Sequence, residues 1–216
     1  MAEIDLLDRY PKIQRPIDAR AQASAEDRIL SKRFGMAYFD GTRQQGYGGY
    51  RYDGRWKPVV QRFIEHYGLT GESRILDVGC AKGFMLHEFL EALPGAEVAG
   101  IDISEYALSQ AMDTVTPFLC LGTARALPFP DRSFDLVVSI ATIHNLDLEG
   151  VKAALREVMR VSRRHAFVKL GGWRTEEEKV QLYRWNVVAN TFMHCDEWER
   201  LFRDAGYTGD YTWFTP

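Results

Sequence analysis

The stretch ILDVGCAKG, residues 75–83, decides the fold of this chain. The stretch begins inside a predicted buried strand of residues 74–79, and apolar residues at helical spacing come after the stretch. Gly79 lets the chain turn sharply, and the small residues Cys80 and Ala81 let the backbone approach a ligand. The following helix presents free N–H groups. The pattern therefore predicts a ligand-binding turn at the carboxyl end of a parallel strand.

Two well-known glycine-rich turns do not fit this stretch. A hydrolytic nucleotide site needs Ser or Thr after its lysine, and here Gly83 follows Lys82. A dinucleotide fingerprint would need glycines at positions 79, 81 and 84, two of which are Ala81 and Phe84. The acidic residue Asp77, two positions before the first glycine, is foreign to both classes. The turn therefore indicates another class of ligand.

Strand-like and helix-like runs alternate on both sides of this turn, which favours βαβ units. The helix before it spans residues 57–67, and a later one spans about 148–161. The predicted strands are residues 74–79, 97–103, 118–122, 134–140, 165–170 and 207–214. We therefore predict an α/β fold, a Rossmann-like, doubly wound and mostly parallel sheet of six to seven strands with helices on both faces.

The first 56 residues have a different character. A short helix is expected near residues 25–34, and GTRQQGYGGYRYDGRW (41–56) is rich in glycine and aromatic residues. We expect residues 1–56 to form an N-terminal helical and loop extension, and residues 57–216 to form the ligand-binding domain. A lid over the bound ligand is the favoured role of the loop, and a patch on the sheet edge is the alternative.

Composition excludes several classes of protein. The chain has 216 residues and a net charge of −3, which argues against a protein that binds nucleic acid through its phosphates. The three cysteines are widely spaced, which indicates neither a disulfide framework nor a zinc site. We expect no metal and a reducing, cytoplasmic location. No apolar run resembles a signal peptide or a membrane span, so we expect no membrane partner.

Two further segments complete a nucleoside-binding pattern. Asp102 ends the second predicted strand, where a carboxylate can accept both hydroxyls of a ribose, although a helix cap is the simpler role. The loop GTARALPFPDRSFDLVVS (122–139) follows the third strand and would face the base of the same nucleoside.

The motifs DVGCAKG, GIDIS and LPFPDRSFDLVVS, in this order and spacing, resemble the class I S-adenosylmethionine (SAM)-dependent methyltransferases of the broad small-molecule type. The resemblance covers about residues 57–206 and implies SAM as the cofactor. It implies that the glycine motif holds the methionine part, Asp102 the ribose, and the residues before LPFPD the adenine. The implied cofactor residues are Asp77, Gly79, Cys80, Ala81, Gly83, Asp102, Ile103, Thr123, Ala124 and Ser139, joined by Tyr50 and Arg51 of the lid.

The sequence departs from the family pattern at two places. Thr123 stands where the family commonly has an Asp that accepts from the adenine amino group, so this contact is expected to be weaker. The family usually ends with two strands after the last helix, and here there is room for about one. The sheet therefore has six strands unless an N-terminal segment completes it.

Methyl transfer requires an aligned acceptor, and often a base near the end of the fourth strand. His144, in SIATIHNL (139–146), is the candidate base, with a packing role weighed evenly against it. We expect transfer to oxygen or nitrogen of a small polar acceptor, with a sugar or nucleotide sugar as examples, and no nucleic-acid partner. The alternatives are a SAM-binding enzyme or sensor without transfer, and a protein or RNA methyltransferase. The acceptor and the oligomeric state are not readable from the sequence.

Overall fold

The computed structural model describes residues 1–12 and 15–216. Its sheet has the order β3-β2-β1-β4-β5, and both β6 and β7 pair with β5. Every pair of neighbouring strands is parallel. The seven strands are β1 (Arg74–Val78), β2 (Glu97–Asp102), β3 (Leu119–Leu121), β4 (Phe134–Ile140), β5 (Ser162–Trp173), β6 (Met193–His194) and β7 (Asp210–Phe214).

Helices cover both faces of the sheet, because alternate residues of the central strands face two separate cores. Leu76 and Val137 pack with α7 and α9, whereas Ile75 and Leu136 pack with α4 and α5. The helices are α1 (Ile17–Ala21), α2 (Ala25–Ser31), α3 (Met36–Asp40), α4 (Lys57–Tyr67), α5 (Phe84–Ala92), α6 (Glu105–Ser109), α7 (Leu148–Val161), α8 (Glu176–Trp185) and α9 (Cys195–Ala205). The predicted doubly wound α/β fold is confirmed. Among the described residues, no helix has both the length and the apolar character that a membrane crossing requires.

Local side-chain chemistry sets the helix boundaries. The Ser104 hydroxyl accepts from the Ala107 amide and starts α6. Thr175 and Glu178 form a capping box at the start of α8. A second capping box starts α9, where the His194 ring accepts from the Asp196 amide and the Glu197 side chain accepts from the His194 amide.

The N-terminus closes the edge of the sheet beside β7. Ile4 donates its amide to the Tyr211 carbonyl at 2.8 Å, and the Tyr211 amide donates to the Ala2 carbonyl at 3.0 Å. Glu3 thereby forms a parallel bridge with Tyr211. The short strand β6 brings the count to seven, so the prediction of a sheet with six or seven strands holds, and an N-terminal segment does reach its edge.

Gly79 occupies a position of the fold that has no space for a side chain. Its φ is +88°, and a Cβ built there would lie 2.0 Å from the Thr142 Oγ1 atom. Gly68, which ends α4 with φ +62°, offers a matched control, because a Cβ there would meet nothing within 4 Å.

We expect Gly68→Ala to cost about 1–2 kcal/mol of unfolding free energy, since it adds backbone strain alone. Gly79→Ala should cost about 1–3 kcal/mol more, because overpacking against Thr142 is added to the strain. Urea denaturation of both variants measures the difference. Equal losses in the two variants would contradict the steric argument.

Candidate active site

A cleft of about 640 Å³ opens at the carboxyl ends of β1, β2, β4 and β5. It is the place where the sequence analysis expected a ligand. Nine of the predicted cofactor residues line it: Asp77, Gly79, Cys80, Ala81, Asp102, Ile103, Thr123, Ala124 and Tyr50. Gly83, Ser139 and Arg51 are not part of this lining. The individual roles assigned to these residues stay predictions.

The turn after β1 is held by backbone and carboxylate contacts. Gly79 donates its amide to the Ile101 carbonyl at 2.7 Å. Ala81, which is not glycine yet has φ of +50°, donates its amide to the Asp102 Oδ2 atom at 2.8 Å. A non-glycine residue keeps such a strained backbone conformation when surrounding contacts hold it there, and this is often seen at ligand sites. Gly83 then caps the start of α5 with φ of +75°, a left-handed conformation that favours glycine.

Asp102 joins two elements of the cleft wall. Its Oδ1 atom accepts from the Ser104 amide at 2.8 Å, while Oδ2 holds Ala81. Burial raises the pKa of the Asp102 carboxyl, and the backbone amides of Ser104, Ala81 and Ile103 act in the opposite direction. Each carboxylate oxygen can accept more than one hydrogen bond. Asp102 can therefore hold the turn and still accept from a ligand hydroxyl.

Asp77 is the most perturbed acid in the cleft. Its side chain is 5% exposed and makes no hydrogen bond to any described residue. Burial, with a smaller contribution from the charge of Asp102, raises the pKa of Asp77 to about 8. A positive group beside an unpartnered buried carboxyl stabilises its anionic form. The site therefore suits a ligand that carries a cation.

His144 is buried beside this cleft, on the wall of a second one. Its Nδ1 atom accepts from the Gly171 amide at 2.8 Å, and burial lowers the pKa of His144 to about 4. The ring is therefore neutral near pH 7, with its proton on Nε2. Ser139, also buried, donates its hydroxyl to the Val78 carbonyl at 3.0 Å and ties β4 to β1. The predicted catalytic role of His144 stays a prediction.

The loop of residues 41–56 is bound to the glycine turn. Lys82 donates from Nζ to the Asp40 Oδ2 atom at 2.6 Å and to the Tyr50 carbonyl at 2.8 Å. The Tyr106 hydroxyl donates to the same Asp40 oxygen at 2.8 Å. The Tyr50 ring stacks on Phe84 with centroids 4.8 Å apart. These contacts place Tyr50 in the cleft, whereas the exposed Arg51 lies on the second cavity.

That second cavity has a volume of about 440 Å³ and adjoins the first. Its lining includes His144, Arg51 and Trp185. The two cavities share the lining residues Tyr10, Arg15, Tyr38, Tyr47, Tyr50, Ala141 and Phe214. Ala141 is a further strained residue of the site, with φ of +55°. A molecule in the second cavity would therefore lie beside the ligand in the first.

Two lysines of the site were not among the residues predicted from the sequence. Lys169 lies on β5 and lines the first cleft, and burial lowers its pKa although Asp5 opposes this effect. A lysine inside the apolar run HAFVKL was the available signal. Lys82 stood inside the glycine motif, but its partner Asp40 is 42 residues away in the sequence. Across residues 1–12 and 15–216, no three His, Cys, Asp or Glu side chains are grouped for a metal ion.

The chain is similar to known methyltransferases. A family model described as "Methyltransferase domain" matches residues 75–165. The chain is 36% identical over 110 residues to a sterol 24-C-methyltransferase of Gibberella zeae, covering 44% of this chain and 28% of the relative. It is 31% identical over 146 residues to the tRNA (carboxymethyluridine(34)-5-O)-methyltransferase of Arabidopsis thaliana, covering 67% of this chain and 34% of the relative.

Residues 75–165 thus form a methyltransferase domain, and the fold is that of the class I SAM-dependent methyltransferases. The crystal structure of the YcgJ protein of Bacillus subtilis shares its fold, with a TM-score of 0.56 and 23% identity over 68% of this chain and 66% of that one. The predicted family and its cofactor, SAM, are thereby confirmed. This methyltransferase spans only about a third of the length of the two curated relatives named above.

The residues of the cleft fit that cofactor. SAM carries a sulfonium, an ammonium and a ribose, and the cleft offers the unpartnered Asp77 carboxyl and the Asp102 carboxylate. The turn at Gly79 has no space for a side chain, so the backbone itself forms the wall there. Thr123 lies in the wall as well, and its hydroxyl accepts from the Arg125 amide at 3.3 Å.

SAM affinity should rise with pH through Asp77. The raised pKa of about 8 means that the carboxyl is largely protonated below this pH in the free protein. A bound cation favours the anion, so binding releases a proton below about pH 8, and the affinity rises by up to about tenfold per pH unit before levelling above it. Calorimetry between about pH 6 and pH 9 measures this slope.

The Asp77→Asn variant supplies the control, because its side chain has nearly the same shape and does not titrate. Any slope that remains in this variant comes from the amino group of SAM itself. Identical slopes for wild type and Asp77→Asn would show that Asp77 is not linked to binding.

Proposed function

We propose that the protein transfers a methyl group from SAM to an oxygen or nitrogen of a small polar acceptor and releases S-adenosylhomocysteine. The observation that carries the proposal is the joining of Asp77, Ala81 and Asp102 at the carboxyl ends of β1 and β2, in one cleft that opens onto a second cavity. When bound, SAM supplies a methyl group on a sulfonium centre, which a nucleophile displaces in line.

The residues of this chain would act mainly by positioning. Asp102 and the turn at Gly79 would fix the cofactor, and Asp77 would offset its positive charge. Tyr38, Tyr47 and Tyr50 line the boundary between the two cavities, where they would exclude water from the reacting atoms. On the same ground we propose that residues 41–56 act as a lid. We also propose that residues 1–56 form an N-terminal extension and residues 57–216 the catalytic domain.

A polar acceptor is supported by the walls of the second cavity. They combine aromatic rings with Arg, Asn and His side chains, which suit stacking together with hydrogen bonding. The relatives named above act on a sterol and a tRNA, so family membership alone leaves the acceptor open. The cysteines Cys80, Cys120 and Cys195 are free in the structure, which is in keeping with the cytoplasmic location that we propose.

The proposal is tested with isotopically labelled SAM and a metabolite extract. We expect label in small polar products and binding of S-adenosylhomocysteine. Asp102→Ala should weaken this binding by about 1.5–3 kcal/mol, roughly 10- to 150-fold, because the ligand loses its hydrogen bonds to a carboxylate. Asp113→Ala, an exposed acid outside both cavities, is the control and should bind normally.

Failure of this test would be informative. No binding by the wild type would reject the methyltransferase proposal altogether. Binding without labelled product in any fraction would favour the sensor, and label in protein or nuclease-sensitive RNA would favour a macromolecular acceptor.

His144 is tested with two substitutions once a labelled product is available. His144→Asn keeps an acceptor near the position of Nδ1 for the Gly171 amide, whereas His144→Ala removes it. If the imidazole takes part in proton transfer, both variants should lose about 10²–10⁴-fold in turnover with little change in SAM affinity. Near-normal turnover of His144→Asn, together with a less stable His144→Ala, would assign His144 to packing.

A further inference from the structure

Arginines dominate the wall of the second cavity. No Asp or Glu occurs among the described residues that line it. The arginines of this wall are Arg15, Arg20, Arg43, Arg51 and Arg55. A concave surface with one sign of charge attracts ligands of the opposite sign.

Only one of these guanidinium groups is neutralised by a carboxylate. Arg55 pairs with Asp53, donating from Nε to the Oδ1 atom at 2.7 Å. Arg15, Arg43 and Arg51 form no side-chain hydrogen bond or ion pair with the described residues. Arg15 lies over the Phe214 ring at 4.8 Å, and burial lowers its pKa. These groups are therefore available to a ligand.

Arg20 gives the cavity a fixed cation at its base. The side chain is 7% exposed, and its guanidinium lies over the Trp185 ring at 4.4 Å. Nη1 donates to the Gly46 carbonyl at 2.6 Å, whereas Nε is buried without a partner. Burial lowers the pKa of Arg20, and the charge of Arg43 lowers it further. A buried cation without a counter-ion is costly, and a bound anion would offset that cost.

We infer that the methyl acceptor carries a phosphate or diphosphate group and that the second cavity binds this group through its arginines. The inference rests on the proposed function, because it assigns the second cavity to the acceptor. Four guanidiniums without a carboxylate partner carry four positive charges, of which a single carboxylate would offset one, whereas phosphate and diphosphate groups carry more negative charge and more acceptor oxygens. Ala141 and Tyr50 line both cavities, so a phosphate here would leave the rest of the acceptor beside the cofactor.

The first test is the binding of pyrophosphate to protein saturated with S-adenosylhomocysteine. Saturation removes the cofactor carboxylate as an alternative partner of the arginines. We expect saturable binding by calorimetry, weakened about tenfold in each of the variants Arg43→Gln and Arg51→Gln. Both side chains are exposed and unpaired, so the substitutions should not impair folding.

Arg156→Gln is the matched control, because Arg156 is exposed on α7 and lines neither cavity. It should bind pyrophosphate as the wild type does. Absence of binding by the wild type, or equal weakening by Arg156→Gln, would overturn the inference.

The second test identifies the product. Label from SAM should enter anionic small molecules whose charge is removed by a phosphatase or pyrophosphatase. Label confined to neutral, carboxylate-only or RNA products would overturn the phosphate inference and leave methyl transfer intact. No label in any fraction, together with no binding of S-adenosylhomocysteine, would instead reject the proposed function.

Discussion

The hydrogen bond from the Ala81 amide to the Asp102 carboxylate is the contact on which the site depends. It crosses from the end of β1 to the end of β2 at 2.8 Å and holds Ala81 at a φ of +50°. A non-glycine residue is strained in this conformation, so the contact must compensate for that strain. It also sets the direction in which Lys82 leaves the turn, and Lys82 in turn binds Asp40 of the N-terminal extension.

Charge is distributed unequally between the two cavities. The first has four acids in its wall (Asp5, Asp8, Asp77 and Asp102) beside three bases (Lys12, Arg15 and Lys169), whereas the second has five arginines and no described acid. The charge of Asp102 contributes to the raised pKa of Asp77, so the two acids repel one another as anions. A cationic cofactor and an anionic acceptor would each relieve the repulsion of its own cavity. The two ligands would also attract one another across the shared wall.

Local signals predicted much of the fold, and long-range pairing accounts for the rest. The strand over residues 134–140 and the helix over residues 148–161 match β4 and α7, because apolar period and caps are local properties. The strand predicted over residues 165–170 extends over Ser162–Trp173, since its polar start pairs with β4 and its end with β6. The bridge between Glu3 and Tyr211 joins opposite ends of the sequence, and no local pattern indicates it.

The site also has a part that local sequence signals predicted and a part that depends on long-range packing. Nine of the cofactor residues predicted from the motifs line one cleft. Each motif lies at the carboxyl end of a strand, and the parallel sheet brings these strand ends together at one edge. The arginines of the second cavity come from separate parts of the N-terminal 56 residues, and their grouping depends on how α1 and the 41–56 loop pack on the domain. Sequence singled out Arg51 but gave no reason to group it with Arg20.

The 41–56 loop links the two cavities physically. Tyr47 and Tyr50 contribute to both walls, Arg43 and Arg51 contribute to the second, and the Tyr50 carbonyl accepts from Lys82 of the glycine turn. Any displacement of this loop would therefore change the shape of the cofactor cleft and remove positive charge from the second cavity together. Because binding free energies are reciprocal, a cofactor that fixes the loop would strengthen the binding of the acceptor by the same factor as the acceptor strengthens that of the cofactor.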